Sequence, residues 1–303
     1  MISPEKTEPN DLLHRAWRFL RKPANDQSAS LQALFTSCFS DFPVPTRLPS
    51  GIWWLSQHDD CSQAVIAGNY ENTEVSFVLR FLTSGMNVLD VGAHHGYYTL
   101  LASRLVGSRG KVFSFEPSPR ERRALRWNSI LNGRTNIRIQ PFALGNSRGE
   151  GSLYLADSFN TGLNSLRPQV VVSDVVRVPI SITTLDSWIA AHPLKNVDFL
   201  KLDVEGGELD VFKGAQLFLS RQSRPVILAE VQDVRTMPWG YQAKEILTFL
   251  ADRQFSWFSL TSDGSLEELN LDAEGFEGNF VAWPHEKGRP PAHLMKGNQD
   301  QVR

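Results

Sequence analysis

MNVLDVGAHHGYYTLLASRLVGSRGKVFSFEP (86–117) decides the fold. MNVLDV is an apolar run of strand length. Gly92 follows it in a tight turn, and the stretch from Gly96 to Val106 reads as a helix ended by Gly107 and Gly110. KVFSFE (111–116) is the next strand. A strand, a glycine turn, a helix and a second strand make one right-handed crossover unit of a parallel sheet.

The pattern continues downstream. SPRERRALRWNSILNG (118–133) reads as a helix with Gly133 at its end, and NIRIQPFAL (136–144) holds a third strand. Residues 150–166 and 170–189 are β-branched with few helix signals, which suggests an inserted hairpin or loop region. Alternation resumes with strand VDFLKLDVEG (197–206), helix GELDVFKGAQLFLSRQ (207–222) and strand RPVILAEVQ (224–232). QAKEILTFLADRQ (242–254) is a helix, and FSWFSLT (255–261) and NFVAWP (279–284) look like a closing β pair.

Upstream, ENTEVSFVLRFL (71–82) has helical spacing, and LLHRAWRFL (12–20) could form a short helix. PVPTRLPSG (43–51) is a loop by its prolines and glycine, while IWWLSQ (52–57) and QAVIAG (63–68) fit short strands or a helix. The expected organisation is an N-terminal extension over 1–66, a lid over the substrate, then a domain over 67–285 and a flexible polar tail over 286–303.

Bulk properties narrow the partners. The chain has 303 residues, 41% hydrophobic and 21% charged, with a net charge of -2. That leaves no global basic field for nucleic acid, and RERRALRW (120–127) reads as a solvated helix face. Cys38 and Cys61 show no metal spacing and suit reduced thiols. The N-terminus lacks a signal-peptide core, and no apolar run reaches the roughly 18 residues of a membrane span. A soluble cytoplasmic protein with no membrane partner is expected, and pairing with a second copy stays open.

Several acids stand where open α/β sheets bind ligands, at the carboxyl ends of strands. Asp90 ends the first strand and Glu116 the second, where a carboxylate can accept both ribose hydroxyls of an adenosine. A dinucleotide fingerprint needs glycine at its third position, where this chain has His94, and Asp90 would repel a diphosphate. S-adenosylmethionine (SAM) has no phosphate, carries an ammonium and a sulfonium, and fits better. Asp203 and Glu205 end another strand before Gly206-Gly207, and Glu230 ends a fourth. Burying such acids without partners is costly, which favours a use for them.

In order, NYE (69–71), DVGAHHGYYTLLASR (90–104), FEPSPRERRALRWNSILNG (115–133), PFALGN (141–146), Asn160 with Gly162 and Ser165, PISITTLDSW (179–188) and LKLDVEGGELDVFKGA (200–215) with RPVILAE resemble the FkbM family of SAM-dependent methyltransferases. The resemblance implies a Rossmann-like class I methyltransferase fold. Its sheet would be seven-stranded and mostly parallel, with helices on both faces, an N-terminal helical extension and a β insertion near 150–190. It implies SAM contacts from Asp90, Gly92, Gly96 and Glu116, with Tyr97 and Pro117 beside them. Phe142 and Ala143 would lie by the adenine, Glu71 by the methionine end and Asp203 near the reacting centre.

This chain departs from the family's Asn-Ile in the glycine turn, carrying His94-His95. His94 then replaces a polar cofactor contact, or acts as a base, while His95 packs at the helix start. The implied reaction is O-methylation of a small molecule, natural product, sugar or peptide, at a hydroxyl or carboxyl. Asp203, Glu205 or His94 would take the proton. A divalent metal on the acids is an alternative, and no metal is expected. Asn160, Asn164, Ser165 and Glu230 are the acceptor-side candidates, with Trp53, Trp54 and Trp239 as apolar walls. N-methylation on the same fold, a nicotinamide oxidoreductase and a non-catalytic binding module are the rival readings.

Overall fold

The computed structural model describes residues 44–157, 159–168 and 176–297. The short helix expected over 12–20 and Cys38 lie outside them. Thirteen strands follow in chain order among the described residues: β1 (Val44–Arg47), β2 (Trp53–Ser56), β3 (Asn87–Val91), β4 (Lys111–Phe115), β5 (Ile137–Gln140), β6 (Ala143–Leu144), β7 (Gly149–Leu155), β8 (Val176–Thr183), β9 (Phe199–Leu202), β10 (Val226–Gln232), β11 (Phe255–Leu260), β12 (Leu266–Glu268) and β13 (Glu277–Pro284). The helices that matter here are α1 (Asp60–Ala67), α2 (Asn72–Phe81), α3 (Tyr97–Val106), α4 (Pro119–Leu131), α5 (Leu185–Ala191), α6 (Glu208–Lys213) and α7 (Ala243–Ala251).

The main sheet runs β12-β11-β13-β10-β9-β3-β4-β5. Its five strands from β10 to β5 pair in parallel. β13 runs antiparallel to β10, and β11 antiparallel to β13. Seven strands were expected and eight are present. The extra strand, β12, is three residues long and returns on β11 through a turn at Asp263-Gly264. Strand order reverses between β3 and β9, so the ends of those two strands open a crevice.

Both sheet faces are covered, which explains the near-continuous apolar runs of the parallel strands. Alternate residues feed two cores. Leu89 and Val91 pack with Trp188, Phe212 and Leu247 on one side. Val88 packs with Trp54, Phe77 and Leu100 on the other. β6, β7 and β8 form a separate three-stranded sheet, the expected insertion.

Three local readings need correction. PVPTRLPSG contains β1, held as a strand by its pairing with β2. α5 lies within the stretch expected to be a hairpin or loop; the Thr184 side chain caps it by accepting from the Ser187 N–H. The helix expected over 207–222 breaks after Lys213, because Gly214 presses on Gly145 so closely that a Cβ would stand 2.0 Å from the Gly145 carbonyl oxygen. Within the tail expected from 286, Leu294 is buried and Met295 bridges to Leu266. No described helix is long and apolar enough to cross a membrane.

Candidate functional site

The glycine turn is built by packing. Gly92 has φ of 83°, and a Cβ there would lie 1.6 Å from the carbonyl oxygen of Asp203. Its room is taken by the chain just past the end of β9. Gly96 has φ of 90°, and a Cβ would strike Leu125 of α4 at 2.1 Å. Between them His94 adopts φ of 50°, and its backbone N–H donates to Glu116 Oε2 at 2.8 Å. Among the described residues, four non-glycine residues have positive φ, and three of them, Glu71, His94 and Glu205, line one cavity. Left-handed backbone at non-glycine residues is costly and clusters at functional sites.

That cavity has a volume of about 490 Å³ and opens at the strand crevice. Such a size suits a small ligand. Glu116 stands on one side and accepts from the Ser118 N–H at 2.8 Å as well as from His94. Burial, reinforced by the nearby Glu121 carboxylate and only partly offset by those backbone donors, pushes its carboxyl up to about 8. Pro117, Phe142, Ala143 and Tyr97 also face the cavity.

Asp90 is buried at the floor. Its Oδ2 accepts from the Thr99 hydroxyl, while Oδ1 is buried with no hydrogen-bond partner. An orphaned carboxylate oxygen is an acceptor awaiting a donor, and it fits an ammonium. Lys201 was missed by sequence reading, although a lysine inside the buried strand FLKL was a signal. Its Nζ donates to Asp203 Oδ2 at 2.7 Å and stands 4.7 Å over the Tyr98 ring. Burial works against this ammonium, but Asp203, Glu71 and Asp90 outweigh it and raise its pKa. Glu71 accepts from the Tyr98 hydroxyl at 2.6 Å, and burial raises its carboxyl.

A second group of acids closes the cavity at β9 and β10. Asp203, Glu205 and Glu230 bring one oxygen each to within 4.8 Å of one another. Glu205 Oε2 pairs with Arg235 Nε at 2.9 Å. Glu230 is 9% exposed, and its Oε2 is buried without a hydrogen-bond partner. Burial and then the Asp203 charge push both glutamates upward. Glu208, also missed, folds back from the first turn of α6 to accept from the Val204 and Gly206 N–H groups at 2.9 and 3.3 Å. Burial lifts it to about 7.

The insertion supplies the remaining wall. Ser165 and Asn164 line the cavity, yet Ser165 Oγ donates to the Glu205 carbonyl at 2.8 Å and Asn164 Oδ1 accepts from the Ala156 N–H at 2.9 Å. Asn160 is not at the cavity; its side chain donates to Asp157 at 2.9 Å. Thr161, which sequence reading did not single out, bonds His94 Nε2 at 3.0 Å. Burial, then the neighbouring His95, push the His94 imidazole well below its usual pKa. His95 stacks on His94 at 3.8 Å, is buried, and falls to about 3 through burial and Arg120. Trp54 and Trp239 do form walls, while Trp53 is 41% exposed. Cys61, a free thiol, lines the cavity too.

A curated relative, "Methyltransferase 1" of Beauveria bassiana, is 25% identical over 143 residues, 42% of this chain and 57% of that protein. The chain thus matches little more than half the length of that relative. Among solved structures, methyltransferase FkbM from Methylobacillus flagellatus KT shares 15% identity at a TM-score of 0.43, covering 74% of this chain and 55% of that one. An O-methyltransferase from Bacillus cereus in complex with SAH shares 14% identity at a TM-score of 0.41, covering 84% of this chain and 90% of that one. The family model described as the methyltransferase FkbM domain matches residues 90–256, more than half of the 303 residues, and the chain belongs to that family.

Proposed function

We propose that the chain binds SAM in this cavity and transfers its methyl group to an oxygen of a small-molecule or peptide acceptor. The carrying observation is the orphaned Oδ1 of Asp90 on the cavity floor, with Glu116 across the turn at the ribose position. Asp90 would receive the ammonium, and the lone pairs of Glu116 left over from its backbone donors would accept ribose hydroxyls. Phe142 and Ala143 would flank the adenine, with Gly92, Gly96, Tyr97 and Pro117 shaping the same pocket. Glu71 lies at the methionine side.

Bound SAM supplies a methyl on a cationic sulfur that departs as a neutral thioether. The chain must align the acceptor and receive one proton. Asp203 would receive it, with Glu205 as the second candidate. His94 serves as a positioning residue, because a depressed imidazole pinned to Thr161 is a weak base. The acidic wall also speaks against N-methylation: it would hold an amine protonated, without the lone pair needed for attack. His94 in the third turn position speaks against a nicotinamide cofactor.

The domain over 67–285 then holds SAM, with residues 44–66 and the described part of the insertion on the acceptor side. Trp54 and Cys61 at the cavity support this reading. Calorimetric titration with SAM and with NADH tests it first, and binding of NADH alone would refute it. Incubating cell extract with labelled SAM and the protein, followed by mass spectrometry, identifies the acceptor. Asp203→Asn and Glu205→Gln should lose transfer while staying folded; full activity in both would remove the proton-acceptor role.

A further inference from the structure

We propose that Asp203, Glu205 and Glu230 form a binding site for one hard divalent cation, of the Mg2+, Mn2+ or Ca2+ class, beside the cofactor cavity. β9 and β10 pair in parallel up to Leu202 with Ala229, so Asp203 and Glu230 are the next two residues in register. The left-handed backbone at Glu205, φ of 58°, returns the chain towards them. One oxygen from each residue lies within 4.8 Å of the others. Oxygens that share a cation at about 2.1–2.4 Å stand at most about 4.2–4.8 Å apart, so the set has the right span.

A further observation points to a ligand. Glu230 is 9% exposed, and its buried Oε2 has no hydrogen-bond partner. Such an oxygen is costly unless something positive meets it. Arg235 fixes the Glu205 carboxylate by its 2.9 Å contact, as an outer partner does for a metal ligand.

A cation here would stand at the reacting end of the cavity and lower the pKa of an acceptor hydroxyl. That use rests on the methyl-transfer reading; the binding itself does not. The test is therefore run without SAM. Purified full-length protein, stripped with EDTA, is titrated with Mn2+ and free Mn2+ is followed by EPR, with Mg2+ as competitor. One Mn2+ per chain is expected, displaced by Mg2+. Glu230→Gln and Asp203→Asn should each weaken it by roughly tenfold or more, the scale on which even outer partners act. Glu267→Gln, on the surface beside Lys296, should leave it unchanged.

Cooperative thermal unfolding checks that the variants fold. If Glu230→Gln does not, Glu230→Asp replaces it and should show the same loss through its shorter reach. No saturable Mn2+ binding at millimolar metal, or equal affinity in wild type and the folded variants, overturns the proposal. Calorimetric SAM binding, measured separately, shows whether the cofactor reading stands regardless.

Discussion

Lys201 Nζ lies 2.7 Å from Asp203 Oδ2, two residues on and just past the end of β9, with the lysine side chain almost wholly buried. The β alternation places both on one face, where Glu71 and Asp90 also bear on the ammonium. This one cation holds the acidic floor together.

Lys201→Met should therefore destabilise the fold by about 3 kcal/mol or more, because it strands buried carboxylates without a counter-charge. Urea unfolding measures it. A variant as stable as wild type would show that the floor is neutral through protonation alone.

Gly92→Ala would set a Cβ 1.6 Å from the Asp203 carbonyl oxygen, at a φ of 83° that disfavours alanine. β3 and β9 would have to separate at their ends. The expected result is a loss of at least about 2 kcal/mol in stability and loss of SAM binding, read by unfolding and calorimetry. Normal SAM affinity in this variant would contradict the close packing of the two strand ends.

Strand-end acids were legible in the sequence because long apolar runs mark where strands stop, and a charge just past such a run must lie at the edge. Asp90, Glu116 and Asp203 were found that way. Lys201 was passed over inside a strand that was itself legible, because pattern alone does not reveal that its ammonium turns to a buried carboxylate. Glu208 was hidden as an ordinary acid in a helix's first turn, and Thr161 as a loop residue. Asn160 was chosen for the acceptor by family order, yet its amide is spent on Asp157. β1, β12 and α5 escaped because so short an element owes its form to its partner or cap, which local pattern does not reveal.

Glu116 sets a pH dependence. Burial raises its carboxyl to about 8 in the fold from an ordinary 4.5. The stability tied to its neutral form is complete below about 4.5 and is lost as pH rises towards about 8. Unfolding free energy should fall between pH 5 and pH 8, and Glu116→Gln should flatten that part of the profile. Parallel profiles for the two proteins would place the titrating group elsewhere.

His94→Asn keeps a residue that tolerates left-handed backbone while removing the ring that bonds Thr161. Stability should change by no more than about 1.5 kcal/mol, the scale of one hydrogen bond. Hydrogen exchange should rise in residues 159–166, where the insertion meets the turn. Labelled-methyl transfer should survive; its abolition with SAM affinity intact would make His94 the base.

Glu71, His94 and Glu205 each hold a backbone shape that costs roughly 1–2 kcal/mol outside glycine. Together that is about 3–6 kcal/mol, against a typical domain stability of about 5–15 kcal/mol. Selection for heat resistance alone would find glycine at all three positions an inexpensive gain. The same changes would erase two carboxylates and an imidazole from the cavity wall. Durability and chemistry thus compete for the same three residues, and a thermostable homologue that retains them must draw its extra stability from somewhere else in the chain.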